Sequence, residues 1–479
     1  MKLLSNLNKN LTTLKKTLVS DDIEVLSVSV CGKKACLIFI KDIADKNAIG
    51  ELILKPLSEL TSLPKQDEFL NSFFAPEKTL LESQSEVYKE LVKGSSILLI
   101  NGFTKAFSFS LKKLEKRAIT EPPTSTVIKG PREGFVESLP VNVSLMRRRI
   151  ISENLIFENM VIGKYTNTSV SICYIKGIAD ERLVKQLKKD LKDINIDAIL
   201  DSSYVAKFLG RHKQSVFRQV GTTEKPDILT AKIMEGRVAI FVDGSPIVLT
   251  VPYLIVEDFQ SPSDYYNSPY TATLSRLLRL FSVMIAIILP AFFVSAELFH
   301  LQLIPLSFLL TIINSIKGIP LSPSYEMFFT ILIFEILNET SIRMPKYVGM
   351  VISIVGGLVL GETAVNAGVI SAPTLMIIAL SGICLYTVPE LEKNFSVIRL
   401  LFLIIGGTCG AYGILLAIAF LLVYLVSFEN YGVPLLAPFS PLVTKDLKDS
   451  FIKGFLIEHG TRPLSLKNKN KTRLKVKND

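Results

Sequence analysis

The distribution of charge along this chain restricts what it can fold into more than any motif does. From Met1 to Arg279 ionisable residues recur every few positions, whereas Leu280 to Leu442 is broken by only a handful. A mean hydropathy of +0.39 in a chain that is still 20% charged requires such segregation. The order reads as a soluble region, a membrane region and a basic tail ending "LSLKNKNKTRLKVKND". A helix needs about 20 apolar residues to cross a bilayer. Four stretches are expected to cross: 280–299, 347–370, 373–389 and 400–427. The stretches "LQLIPLSFLLTIINSI" and "EMFFTILIFEILNETSIR" are short or charged and read as re-entrant or amphipathic helices, with six spans if both cross. Arg276 and Arg279 flank the first span, and the tail from Lys445 carries ten basic residues against four acidic ones, so both ends are expected on the cytoplasmic side.

The start "MKLLSNLNKNLTTLKK" is interrupted by lysine and asparagine before an apolar core can form, so it does not read as a secretory signal. Five scattered cysteines without a CxxC pair argue against a disulfide framework or a zinc site. The three histidines, His212, His300 and His459, have no metal-ligand spacing. No phosphate-binding loop occurs, since "GRHKQS" at 210–215 has its lysine too early. The helix pattern "LVKQLKKDLKD" lacks the aromatic interleaving of single-strand binders, so no nucleic-acid partner is expected. No nucleophile, base and orienting residue occur together, so neither an enzyme nor a cofactor is expected.

The soluble half repeats itself. "FIKDIAD" (39–45) and "YIKGIAD" (174–180) each follow an apolar run suited to a buried strand and precede a helical pattern. "KGSSILLINGFTKAFSFSL" (93–111) parallels "EGRVAIFVDGSPIVLTV" (235–251), with Asn101-Gly102 and Asp243-Gly244 expected as two-residue hairpin turns with positive φ at both positions. The soluble region is therefore expected to be two related α/β subdomains.

Between the copies, after the Pro- and Thr-rich "ITEPPTSTVI", stands "GPREGFVESLPVNVSLMRRRI" (130–150). Glu133 and Glu137 are four apart, and Arg147, Arg148 and Arg149 point three ways around a helix, so they cannot all face one ligand. Spacing alone leaves a linker helix with solvated arginines and a contact surface both open.

This segment resembles the signature of the GerA spore germination protein family. The similarity continues through 224–266, "SIRMPKYVG" (341–349), "IVGGLVLGETAVNAGVISAP" (354–373) and "YGVPLLAPFSP" (431–441). Two positions depart from the family pattern: Pro140 stands where proline is unusual, and Glu362 where glutamine is more frequent. The resemblance implies an α+β region of two α/β subdomains joined to a multi-span helical membrane domain and a basic cytoplasmic tail. The boundaries expected are 1–118, a signature linker 119–150, 151–272, 273–442 and 443–479. It further implies a germinant receptor A subunit in the spore inner membrane, working with a transporter-like B subunit and a lipoprotein C subunit, ring-forming and ion-conducting. A non-conducting scaffold and the related stage V sporulation paralogue are the alternatives. The signature residues Pro131, Arg132, Glu133, Gly134, Glu137, Asn142 and Arg147 to Arg149 are implied to serve assembly.

Within the apolar region, Glu362 with Thr363 and Asn366 forms a polar stripe on a helix that also carries Gly357 and Gly361 in GxxxG spacing. A charge at bilayer centre costs at least about 2.5 kcal/mol, so the stripe is expected to face protein or water, as an ion or water pathway or as helix packing. Gly406 and Gly410 form a second GxxxG read as packing, and Pro290, Pro345, Pro373 and Pro389 are expected to interrupt or bound helices.

Overall fold

The computed structural model describes residues 2–112, 129–213, 215–455 and 460–473. The chain forms two compact units. One runs to Leu254 and adds Asn430–Val433 and the C-terminal tail, and the other comprises Ile255–Glu429 and Pro434–Phe455.

The first unit contains two lobes of the same topology. In the first lobe α1 (Leu7–Thr17) precedes β1 (Ile23–Val30) and β2 (Lys33–Ile40). These lead to the short helices α2 (Lys46–Ile49) and α3 (Lys55–Glu59), then β3 (Lys78–Leu81), α4 (Gln84–Val92), β4 (Ser96–Ile100) and β5 (Ala106–Phe109). In the second lobe α5 (Leu139–Arg149) precedes β6 (Leu155–Ile162) and β7 (Thr168–Ile175). Then come α6 (Glu181–Lys192), α7 (Ser202–Leu209), β8 (Gly221–Thr223), α8 (Pro226–Met234), β9 (Val238–Val242) and β10 (Val248–Val251). The strand orders, β1-β2-β4-β5-β3 and β6-β7-β9-β10-β8, correspond strand for strand, so the repeat read from the sequence is a repeat of structure. The repeated "IAD" has a local cause. Its aspartate is the N-cap of the following helix in both copies: Asp45 accepts from the Asn47 and Ala48 amides, and Asp180 from the Arg182 amide.

Both sheets are covered on two faces, because successive strand residues point to opposite sides. In β2, Leu37 and Phe39 pack with Phe69 and Phe107, while Cys36, Ile38 and Ile40 pack with Leu14 and Leu91. In β7, Val170 and Ile172 meet α6 through Leu183 and Leu187, and Cys173 and Ile175 meet α5 through Val143 and Met146.

Three expectations need correction. The hairpin turns are not two-residue turns, since five residues separate β4 from β5 and β9 from β10. Positive φ occurs at Gly102 (95°) and Gly244 (86°) but not at Asn101 or Asp243. The Phe103 amide donates to Ile100 O and the Ser245 amide to Val242 O, which closes a turn needing a glycine only at its second central position. The signature linker 119–150 is not free either: its residues 119–128 lie outside the described residues, and α5 is part of the second lobe's core. Part of the basic tail is docked. Arg462 Nε donates to Met234 O at 2.8 Å and Asn468 Nδ2 to Glu235 O, at the carbonyl end of α8 where cations are favoured.

The second unit is helical: α9 (Pro262–Tyr266), α10 (Pro269–Phe299), α11 (Leu306–Ile316), α12 (Pro323–Arg343), α13 (Lys346–Asn366), α14 (Ala372–Leu385) and α15 (Glu392–Ser427). Among the described residues, two segments, Pro269–Phe299 and Pro389–Ser427, are long and apolar enough to cross a membrane. α14, at 14 residues, reaches only about 21 Å, short of the roughly 30 Å hydrocarbon core. The Gly406-Gly410 pair both packs and breaks. Gly406 lies against the Ala291 backbone of α10, and Gly410 leaves the helix at φ 64°, under the Phe299 ring. Only glycine takes that conformation without strain, which explains a kink in an apolar helix.

Candidate functional site

The signature segment forms the seam between the two lobes of the first unit. Pro140 lies in the first turn of α5, where a missing N–H costs nothing. Asn142 ties the preceding loop to the helix, accepting from the Val136 amide at 2.9 Å and donating to Val136 O at 2.5 Å. The Gly244 amide donates to Glu137 O and Asp243 Oδ1 accepts from the Leu139 amide, so the second lobe's turn holds the start of α5. Gly134 and Phe135 are buried, and the Phe135 ring meets Phe241 edge-on at 5.6 Å.

The three arginines divide their roles. Arg147 is 2% exposed and makes a two-pronged ion pair with Asp22 of the first lobe, Nε to Oδ2 and Nη2 to Oδ1, both at 2.8 Å. Its Nη2 also donates to Ser20 Oγ, and its guanidinium lies 5.1 Å from the Phe157 ring centroid. Ser20 Oγ accepts from the Phe157 amide at 2.8 Å, and the Asp21 amide donates to Phe157 O at 2.9 Å, so backbone and side chain cross the seam together. Arg148 and Arg149 converge instead on Glu133. Burial opposes ionisation of Glu133, but those two guanidinium groups outweigh it and hold its carboxyl below the usual range. Pro131 is half-buried, and Arg132 and the Glu137 side chain are exposed.

Beside the lock lies a cavity of about 250 Å³ lined by Lys41, Asp42 and Asp45 of the first lobe and by Pro140, Val141 and Ser144 of α5. That is room for about eight waters or a small polar solute. Burial, reinforced by the charge of Asp22, raises the Asp42 carboxyl to about 6 despite Lys41, Lys46 and Arg147 nearby. The arrangement can hold two lobes in one register and couple that register to whatever fills the notch.

In the helical unit, Arg276, fully buried, and Arg279 both bind Asp264, and Arg276 also bonds Asp449 at 3.0 Å. Burial penalises the Asp264 carboxylate, yet the Arg279 hydrogen bond, the Ser261 amide and both guanidinium charges keep its carboxyl low. These arginines are therefore engaged by carboxylates within the first half of α10. Deeper in the unit, Glu326 of α12, 1% exposed, accepts from the amide and hydroxyl of Ser371 at the start of α14, a carboxylate at the helix end that favours one. Arg399 of α15, fully buried, pairs with Glu335 of α12 and donates to Ser381 of α14, whose hydroxyl donates to Ala286 O of α10. One guanidinium thus joins four helices.

The stripe expected from the sequence stands elsewhere. Glu362, Thr363 and Asn366 are all exposed near the end of α13 and do not join the buried network. Sequence reasoning missed Asp22, Asp42, Glu326, Glu335 and Arg399. A signal existed for the last three, single charges isolated within apolar runs. None existed for Asp22, whose partner lies 125 residues away.

Comparison with known proteins bears on the whole chain. Residues 8–465 match the model of the Bacillus/Clostridium GerA spore germination protein family. Spore germination protein KA of Bacillus subtilis is 34% identical over 98% of this chain and 88% of its own length. Spore germination protein B1 of the same organism is 32% identical, covering 95% of each chain. GerLA of Bacillus cereus is 31% identical over 94% of each. The crystal structure of the N-terminal domain of the A subunit of the Bacillus megaterium spore germinant receptor GerK3 is 29% identical, with a TM-score of 0.42, over 53% of this chain and 98% of that one. With the family model matching from the first helix into the docked tail, this chain belongs to the GerA spore germination protein family.

Proposed function

We propose that this chain is the A-type subunit of a nutrient germinant receptor, a non-enzymatic, multi-span protein of the spore inner membrane with its first unit and tail on the cytoplasmic side. It works with a transporter-like B subunit and a lipoprotein C subunit, and germinant recognition by the assembly is converted into ion release. The observation that carries the reading is the stripe on α13, where a carboxylate, a hydroxyl and an amide stand exposed on an apolar helix. A charge at mid-depth costs about 2.5–3.5 kcal/mol, and Glu362, one turn from the end of α13, would still be held at the lipid boundary in a single chain. Copies of the chain arranged in a ring would turn the same stripe onto shared water, where carboxylates favour cations. Glu362→Gln, nearly isosteric, is expected to leave assembly intact and weaken monovalent cation selectivity. The measurement is reversal potential in liposomes holding the purified subunits, wild type beside variant. Equal selectivity with demonstrable conductance removes Glu362 from the path. No conductance in any combination of subunits favours the non-conducting scaffold.

A further inference from the structure

α7 in the second lobe buries Val205 and Leu209 in the core, as an eight-residue surface helix should. Its outer face is unusual. Tyr204 and Phe208 are 39% and 44% exposed, Leu200 just before the helix is 66% exposed, and between and beyond them stand exposed Lys207, Arg211 and Lys213. α7 itself carries no acidic residue, its N-cap Asp201 is occupied by Ser245 Oγ at 2.5 Å and the Ser203 amide, and Asp190 stands beside Tyr431, under Arg211. The face is thus aromatic and basic.

A second observation bears on what covers it. Arg211, two residues past α7, lies 5.6 Å from the ring centroid of Tyr431, which is itself part of the lobe's core. Asn430 Nδ2 donates to Gln219 O, so the strand of chain at 430–431 is anchored beside the end of α7. Tyr431 follows Ser427, the last residue of α15, by only four residues. Four residues span at most about 14 Å. If α15 crosses the membrane, the chain itself keeps Tyr431, the residue under Arg211, within that reach of the bilayer boundary.

We infer that α7 and the turn after it rest on an anionic phospholipid surface, Tyr204 and Phe208 at headgroup depth and Lys207 and Lys213 against lipid phosphates. The tyrosine ring, apolar with a polar edge, favours that depth, the phenylalanine adds apolar area below it, and lysine stems lie along apolar surface while the ammonium stays in water. Each basic residue near an anionic leaflet shifts the balance about fivefold toward contact. The inference rests on the membrane reading of α15 given above, and the test separates the two.

The chain contains no tryptophan, so Phe208→Trp and Phe420→Trp each give a single fluorophore. Phe420 is 74% exposed on α15. Each full-length variant is placed in lipid nanodiscs of phosphatidylcholine with or without phosphatidylglycerol, using lipids brominated near the top of the acyl chain as quencher. The expectation is that F420W is quenched in every disc, and that F208W is quenched when phosphatidylglycerol is present. K207Q with K213Q in the F208W chain is expected to lower the docked-to-undocked ratio about 25-fold. Quenching of F420W with none of F208W overturns the inference and leaves the membrane reading standing. A blue-shifted but unquenched F208W also overturns it, because protein, such as a second copy, then covers the face. Quenching of neither removes the membrane reading of α15, and the inference with it.

Discussion

Arg147→Leu is expected to open the seam between the lobes without unfolding either. The residue and its partner Asp22 have side chains 2% and 1% exposed, and the substitution removes both 2.8 Å bonds at once. Asp22 keeps only the short hydrogen bond from Ser20 Oγ and is left as a buried carboxylate without a counter-charge. Removing one member of a buried pair costs about 3–5 kcal/mol, and loss of the contact with the Phe157 ring adds about 1 kcal/mol. Tenfold per 1.4 kcal/mol makes this roughly a 10³–10⁴-fold rise in the population of the opened seam. Hydrogen exchange read by mass spectrometry on the full-length chain follows it at the amides of Asp21 and Phe157, whose partners lie across the seam. Exchange there is expected to accelerate by that factor, while Leu98 in β4 and Ile240 in β9, at the centres of the two sheets, stay protected. Replacing both residues, Arg147→Leu with Asp22→Leu, should recover much of the protection, since no charge is then stranded. Unchanged exchange at both seam amides in the single variant would refute the lock. A double variant as open as the single one would show that the stranded carboxylate is not the cause.

Asp42 predicts a pH dependence. Its carboxyl rises from 3.8 to about 6 on folding, so between those values the native state binds more protons than the unfolded chain, and stability falls as pH rises through the window. Asp42→Asn should therefore gain about 1–2 kcal/mol at neutral pH after solvent screening and flatten the denaturation midpoint over that range; a loss of stability would reverse the assignment. Gly244→Val forces a branched side chain into φ 86° and should cost about 1–2 kcal/mol, seen as a lower melting temperature. Nothing crowds the position, so the cost is conformational. Arg399→Leu strands Glu335 in the helical unit and should lower thermal stability in detergent by about 3 kcal/mol or more, with Glu335→Leu in the same chain restoring much of it. An equally unstable double variant would argue that Arg399 acts through Ser381 instead.

Local and periodic features of this protein were decided by the sequence alone. Segregated charge separates the two units, and the paired "IAD" strings announce a duplicated lobe because in each copy the aspartate caps the helix that follows the second strand. The family could be read from contiguous motifs for the same reason: they are strings, and strings survive without a fold. Hairpin geometry was only half legible. The glycines were correctly placed, but the five-residue loops follow from where β5 and β10 regain their partners, which is a property of the sheet.

Tertiary structure alone decided which charges matter. Three consecutive arginines look equivalent in sequence, yet one is buried on a first-lobe aspartate and the other two share a loop glutamate. The stripe of Glu362, Thr363 and Asn366 drew notice because neighbours on one helix are visible in a string. The network of Glu335, Ser381 and Arg399 assembles from three helices and was not. Burial drives this difference: an ion pair withdrawn from water needs its partner within a few ångströms, and across distant elements only packing brings the partner there.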